Sequence, residues 1–121
     1  MRTSEAARHE PPARPGPGAV PAPIIEVRLR NDRYNRAVAG PGGHGIGRAV
    51  DNAIRLDDPT VSRHHAGLII SDDRAVAYIQ DRGGANVTLL NQSKVEGFAI
   101  IKEGDTITVG NVTLTVEVKR G

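Results

Sequence analysis

An all-β sandwich or barrel is the fold this sequence predicts, and three observations predict it. Apolar residues alternate with polar ones at period two, turn-forming residues break those runs at short intervals, and no segment carries a helical stripe long enough to compete. Many short strands bounded by turns pack as a sandwich or barrel.

Taken in order, residues Met1 to Pro23 stand apart. They contain Pro11, Pro12, Pro15, Gly16, Pro17, Gly18, Pro21 and Pro23 and almost nothing apolar to bury. Such a composition does not offset the entropy of ordering, so residues 1–23 are expected to form a disordered tail and residues 24–119 the domain. From Ile24 the pattern changes. Ile25, Val27 and Leu29 alternate with Glu26, Arg28 and Arg30, which reads as a first strand with one buried face. Weaker runs follow at Tyr34 to Val38, Ala53 to Leu56, Gly67 to Ile70, Ala75 to Gln80, Val87 to Leu90 and Phe98 to Ile101. Two clear alternations close the chain, Thr106 to Val109 and Val112 to Val118. Turn signals separate them: Asn31-Asp32, Gly42-Gly43, Asp57-Asp58-Pro59, Asp72-Asp73, Gly83-Gly84, Glu103-Gly104-Asp105 and Gly110-Asn111.

Composition narrows the function. With no cysteine, disulfides and thiolate zinc sites are excluded, and the domain rests on apolar burial. Tyr34, Tyr78 and Phe98 are the only rings, too few for a base-stacking platform. A formal net charge of +2 is no nucleic-acid footprint. No signal-peptide core and no membrane-spanning run is visible, so a soluble, cytoplasmic protein is expected.

Polar residues that strand packing does not require are concentrated in two loop-like stretches. One runs Gly45-Ile46-Gly47-Arg48 and continues through Asp57-Asp58-Pro59-Thr60-Val61-Ser62-Arg63-His64-His65-Ala66. The other runs from Asp81-Arg82-Gly83-Gly84 through Ala85-Asn86-Val87-Thr88 to Leu89-Leu90-Asn91. With Glu103 to Gly110, this series resembles a forkhead-associated (FHA) domain over about residues 24–119, most specifically in Gly47-Arg48 followed by Asp58 to His65.

The resemblance implies an FHA-like sandwich of about eleven mostly antiparallel strands with ligand loops at one end. It also implies a phosphothreonine-binding module that docks partners phosphorylated by Ser/Thr kinases, the partner being a kinase or its substrate. Catalysis, cofactor, metal, nucleic acid and membrane are not implied. Carried over by position, Arg48, Ser62 and Arg63 contact the phosphate or the peptide, Asn86 holds the peptide main chain, and Gly47 and His65 support the loops. The residue types suit that work. A phosphothreonine carries about −1.5 to −2 charges and three acceptor oxygens. Arginine answers it with a fork of charged donors and serine with a short hydroxyl. Asn86 can both donate to and accept from a peptide backbone.

The second loop departs from the family pattern of serine, a polar residue, then Asn-Gly-Thr, since Gly84, Ala85, Asn86, Val87 and Thr88 stand there. Ala85 lacks a hydroxyl that often donates to phosphate. Val87 replaces a glycine; if this loop demanded a positive φ there, Asn86 would be displaced.

Competing readings follow from the same residues. A phosphate-independent interaction domain of the same fold is supported by Ala85 and Val87. A hydrolase built on Ser62 with His64 or His65 and Asp57 or Asp58 lacks a nucleophile elbow, and residues two or three apart on one loop seldom form a triad. His44, His64 and His65 match no known metal-ligand spacing. Gly40 to Gly45 formally fits G-x-G-x-x-G, but no helix follows it. In the tail, Thr3 and Ser4 are close enough along the chain for a phosphorylated Thr3 to reach the loops of the same or a neighbouring molecule.

Overall fold

The computed structural model describes residues 22–121; the expected tail, with Thr3 and Ser4, lies outside them except for Ala22 and Pro23. Eleven strands follow in order: β1 (Ile24–Arg30), β2 (Asn35–Val38), β3 (Gly42–Gly47), β4 (Ile54–Arg55), β5 (Ala66–Ile70), β6 (Ala77–Asp81), β7 (Thr88–Leu90), β8 (Ser93–Lys94), β9 (Phe98–Ile101), β10 (Thr106–Val109) and β11 (Val112–Arg120). They form a six-stranded sheet, ordered β2-β1-β11-β10-β7-β8, and a five-stranded sheet, ordered β4-β3-β5-β6-β9. Every pairing is antiparallel but one: β3 and β4 run parallel, with Ile46 opposite Ile54. No helix among the described residues is long and apolar enough to cross a membrane.

The period-two pattern does what it predicts. Val27 and Leu29 of β1, Ile107 and Val109 of β10, and Leu114 and Val116 of β11 turn inward and are fully buried. They meet Ile46, Ile54, Leu68, Ile70, Ile79 and Ile101 of the other sheet. Each such aliphatic side chain contributes about 1.5–3 kcal/mol by leaving water. The outward partners of β10 and β11 are threonines, of which Thr108 and Thr113 share a hydrogen bond of 2.9 Å across the strands.

Two strands were not expected. The sequence offers only a turn and a loop where β3 lies, because four of its six residues are glycine, which gives no alternation to detect. β8 is only two residues long. Several boundaries shift by one or two residues, those of β6 and β7 among them. β6 begins at Ala77 because the Ser71 hydroxyl accepts the N–H groups of Ala75 (3.1 Å) and Val76 (3.2 Å). β7 begins at Thr88, one residue after the expected start.

The termini of the domain share one pole. Val27 pairs with Val118 in the β1–β11 ladder, and the Gly121 N–H donates to the Pro23 carbonyl at 3.1 Å. At the other pole gather the β3–β4, β4–β5 and β6–β7 loops with the β10–β11 turn.

Candidate functional site

β3 ends at Gly47 and delivers Arg48 to the loop pole, where its backbone is held on both sides. The Arg48 N–H donates to the Ser62 carbonyl (3.0 Å), and the Arg48 carbonyl accepts the Arg55 Nε–H (2.9 Å). The Arg48 side chain is aimed as well, because its Nε–H donates to the Val61 carbonyl at 3.0 Å. Among the described residues its two terminal nitrogens have no hydrogen-bond partner. A guanidinium fixed at Nε with both ends open is a preset fork for an oxyanion.

Gly47 makes the approach of the loops feasible. A Cβ on Gly47 would collide with the Arg63 carbonyl, and Asn52 sits against the same spot. Asn52 draws the loops together from there, its amide donating to the carbonyls of Ala49 (3.0 Å) and Arg63 (2.7 Å). Arg63 itself is exposed, and its side chain has no hydrogen bond or ion pair among the described residues.

Ser62 is the junction between the loops. Its hydroxyl oxygen accepts the Ala85 N–H at 2.9 Å, which leaves its own hydrogen for another acceptor. Its main-chain N–H donates to Nδ1 of His65 at 3.1 Å. His65 is fully buried, and its Nε2 lies 3.4 Å from the Val87 carbonyl. With Nδ1 accepting, the tautomer that fits both contacts carries its hydrogen on Nε2. The ring thus spans both loops from beneath.

Asn86 closes the frame. Its amide donates to the Thr60 carbonyl at 2.7 Å, leaving its oxygen and one N–H for other partners. Thr60 is held by Asp58, whose carboxylate accepts the Thr60 N–H (2.8 Å) and hydroxyl. Those bonds from the Thr60 side chain and backbone hold the Asp58 carboxyl below the usual aspartate range. The Thr60 hydroxyl oxygen in turn accepts the Asn111 N–H (2.8 Å), which ties in the β10–β11 turn.

The departures in the second loop have local reasons. Val87 is not among the residues with positive φ; Gly83, at φ +79°, takes the left-handed position instead, and Asn86 still reaches the first loop. A Cβ at Gly84 would strike the Ser62 hydroxyl, so a serine would not fit there without displacing Ser62. Ala85 contributes its N–H to Ser62 and no hydroxyl.

Arg48, Ser62, Asn86, Gly47 and His65 therefore meet at one pole, with Arg63 on its rim. Sequence reading missed Asn52, Arg55 and Thr60, which brace them. Only Asp58-Pro59-Thr60 carried a signal, as a turn motif. Ser62 Oγ and His65 are not paired as nucleophile and base, because Nδ1 takes the Ser62 main-chain N–H. His64 faces Asp51 instead, at 3.2 Å on the surface. No group of three or more His, Cys, Asp or Glu among the described residues could hold a metal ion.

Comparisons with known proteins bear on the fold and its family. The family model described as "FHA domain" matches residues 44–110, more than half of the chain. The ABC transporter ATP-binding/permease protein Rv1747 of Mycobacterium tuberculosis is 38% identical over 74 residues, which is 61% of this chain and 8% of that protein. The chain thus corresponds to a small part of that relative's length. A structure described under phosphothreonine-dependent FHA domain interactions superposes with a TM-score of 0.70 at 29% identity, covering 80% of this chain and all of that one. Mycobacterium tuberculosis EmbR in complex with a low-affinity phosphopeptide gives a TM-score of 0.68 at 26% identity, covering 80% of this chain and 25% of that one.

Proposed function

This chain belongs to the FHA family, and from that premise we propose that it is a phosphothreonine-dependent module that docks partners phosphorylated by Ser/Thr kinases. One observation carries the reading: the loops are locked to each other while the Arg48 terminal nitrogens and the Ser62 hydroxyl hydrogen stay unspent. A dianionic phosphate is the ligand that uses such donors best. Arg63 adds charge at the rim, and the free oxygen and N–H of the Asn86 amide suit a peptide backbone. The relatives described with phosphothreonine-dependent interactions and with a phosphopeptide support the same ligand class. Phosphothreonine is made from ATP by kinases inside cells, so the proposed place of action is the cytoplasm.

A second reading, a protein-binding domain that ignores phosphate, draws on one specific feature. Ala85 offers no hydroxyl, and its N–H is already committed to Ser62. Titration of a phosphothreonine peptide beside its unphosphorylated twin separates the two. The docking reading expects binding of the phosphorylated form alone, lost in Arg48→Ala; equal affinity for both peptides overturns it.

A further inference from the structure

Four strands end the two sheets: β2 and β8 in one, β4 and β9 in the other. Three of them carry a charge that discourages pairing, Arg36 on β2, Lys94 on β8 and Arg55 on β4. β9 reads Phe98-Ala99-Ile100-Ile101, with no charge, proline or glycine. Natural sheets guard their open edges with such devices, and an unguarded apolar edge invites another strand.

The phase of the ladder shows which groups β9 presents. Gly97 accepts the Asp81 N–H at 2.9 Å, and Ala77 to Gln80 lie opposite Ile101 to Phe98. By alternation, Ala99 and Ile101 bond to β6, and the main-chain groups of Phe98 and Ile100 face the open edge. The side chains of those two residues lie on the outer face. Phe98 is 46% exposed and packs edge-to-face on Tyr78, with ring centroids 5.7 Å apart. Ile69, Tyr78 and Ile100 are register neighbours across β5, β6 and β9 and extend that apolar surface.

We infer that β9 is a self-association edge, pairing antiparallel with β9 of a second copy of this chain so that the five-stranded sheets join. The strand is complementary to itself. Because Phe98 and Ile100 present the free backbone groups, a two-fold pairing sets Phe98 of each copy opposite Ile100 of the other. Aromatic and β-branched residues across a ladder are a favourable pair. Ala99, the smallest side chain of the strand, then lies on the two-fold axis in a non-hydrogen-bonded pair. At the ends, Glu96 of one copy comes opposite Lys102 of the other, opposite charges at both borders; Glu96 has no ion-pair partner among the described residues. Closed symmetric pairing of this kind is the commonest route to a homodimer. The interface is small, so the dimer is weak and fills at high concentration.

Sedimentation of the full chain tests this, with the mass expected to rise from 12.8 kDa toward twice that value as concentration increases. Because the chain has no cysteine, Ala99→Cys places a single thiol on the proposed axis. The paired Cα atoms would stand about 4.5 Å apart, within disulfide range. Mild oxidation should give a reducible covalent dimer, and adding Ile100→Lys should abolish both the crosslink and the concentration-dependent mass. Should Ile100→Lys lose its β-sheet circular dichroism, Phe98→Glu serves in its place. A dimer that survives the edge charge lies elsewhere on the molecule and overturns the inference. So does a chain that stays monomeric and uncrosslinked, whose edge then belongs to another segment or partner.

Discussion

Asn86 donates its amide to the Thr60 carbonyl at 2.7 Å, although 26 positions separate them in the chain. This bond crosses from the β6–β7 loop to the β4–β5 loop and ties the two together. Asn86→Ala should therefore act twice. We expect a stability loss of about 0.5–1.5 kcal/mol from the missing bond. The larger effect is on phosphopeptide affinity, measured by calorimetry on protein shown to be folded at the working temperature.

Arg48→Ala removes the fork and its anchor on Val61 together. Hydrogen bonds to charged groups contribute about 1.5–3 kcal/mol, so affinity for a phosphothreonine peptide should fall roughly 10- to 150-fold. Melting temperature should change little, because the group that is lost is partly exposed. Arg48→Lys keeps the charge but not the fork and should recover only part of the loss.

Ala85→Ser restores a hydroxyl beside the cradle without touching the Ala85 N–H that binds Ser62. Affinity for the phosphorylated peptide should rise roughly 2- to 10-fold, the value of one further hydrogen bond. Surface plasmon resonance against the same peptide reads it directly. Val87→Gly, by contrast, should bring no gain, because Val87 needs no positive φ.

Gly47→Ala and Gly67→Ala should differ. The new methyl at position 47 meets the Arg63 carbonyl, a piece of backbone, whereas at position 67 it meets the Arg82 guanidinium at 2.5 Å, the movable end of a long side chain. Thermal melts should show a loss of about 1–3 kcal/mol for the first and a much smaller one for the second.

Acid should weaken the domain through Asp105. This carboxylate is 5% exposed. Burial by itself raises its pKa, but the donors from Asn91 and from the Lys102 backbone and side chain, with the Lys102 charge, outweigh burial and hold it below the ordinary value. A lowered folded pKa means that the contribution is complete above the unfolded value of about 3.9 and disappears as pH falls through the folded one. Asp105→Asn should melt lower at neutral pH and show a flatter decline below pH 4.

Much of this fold is legible in the sequence where side chains alternate, as along β1, β10 and β11. β3 is not legible, and the reason is tertiary. Its outward positions Gly45 and Gly47 carry no side chain because the Asn52 amide and the Arg63 carbonyl lie over them. A local window holds no trace of that. The site divides in the same way. The run from Gly47 and Arg48 to Ser62 and His65 marks residues that the fold brings together at one pole. Asn52 and Arg55 are invisible there because their partners are set by loops folding onto one another.

The shared pole of the two ends also decides how the domain would respond to tension. Because β1 and β11 lie side by side and antiparallel, a pull applied between the termini loads their ladder like a zipper, one rung after another, beginning at Ile24 and Arg120. Peeling needs less force than shearing a whole strand at once. The first strand would come away while the loops of the opposite pole were still intact.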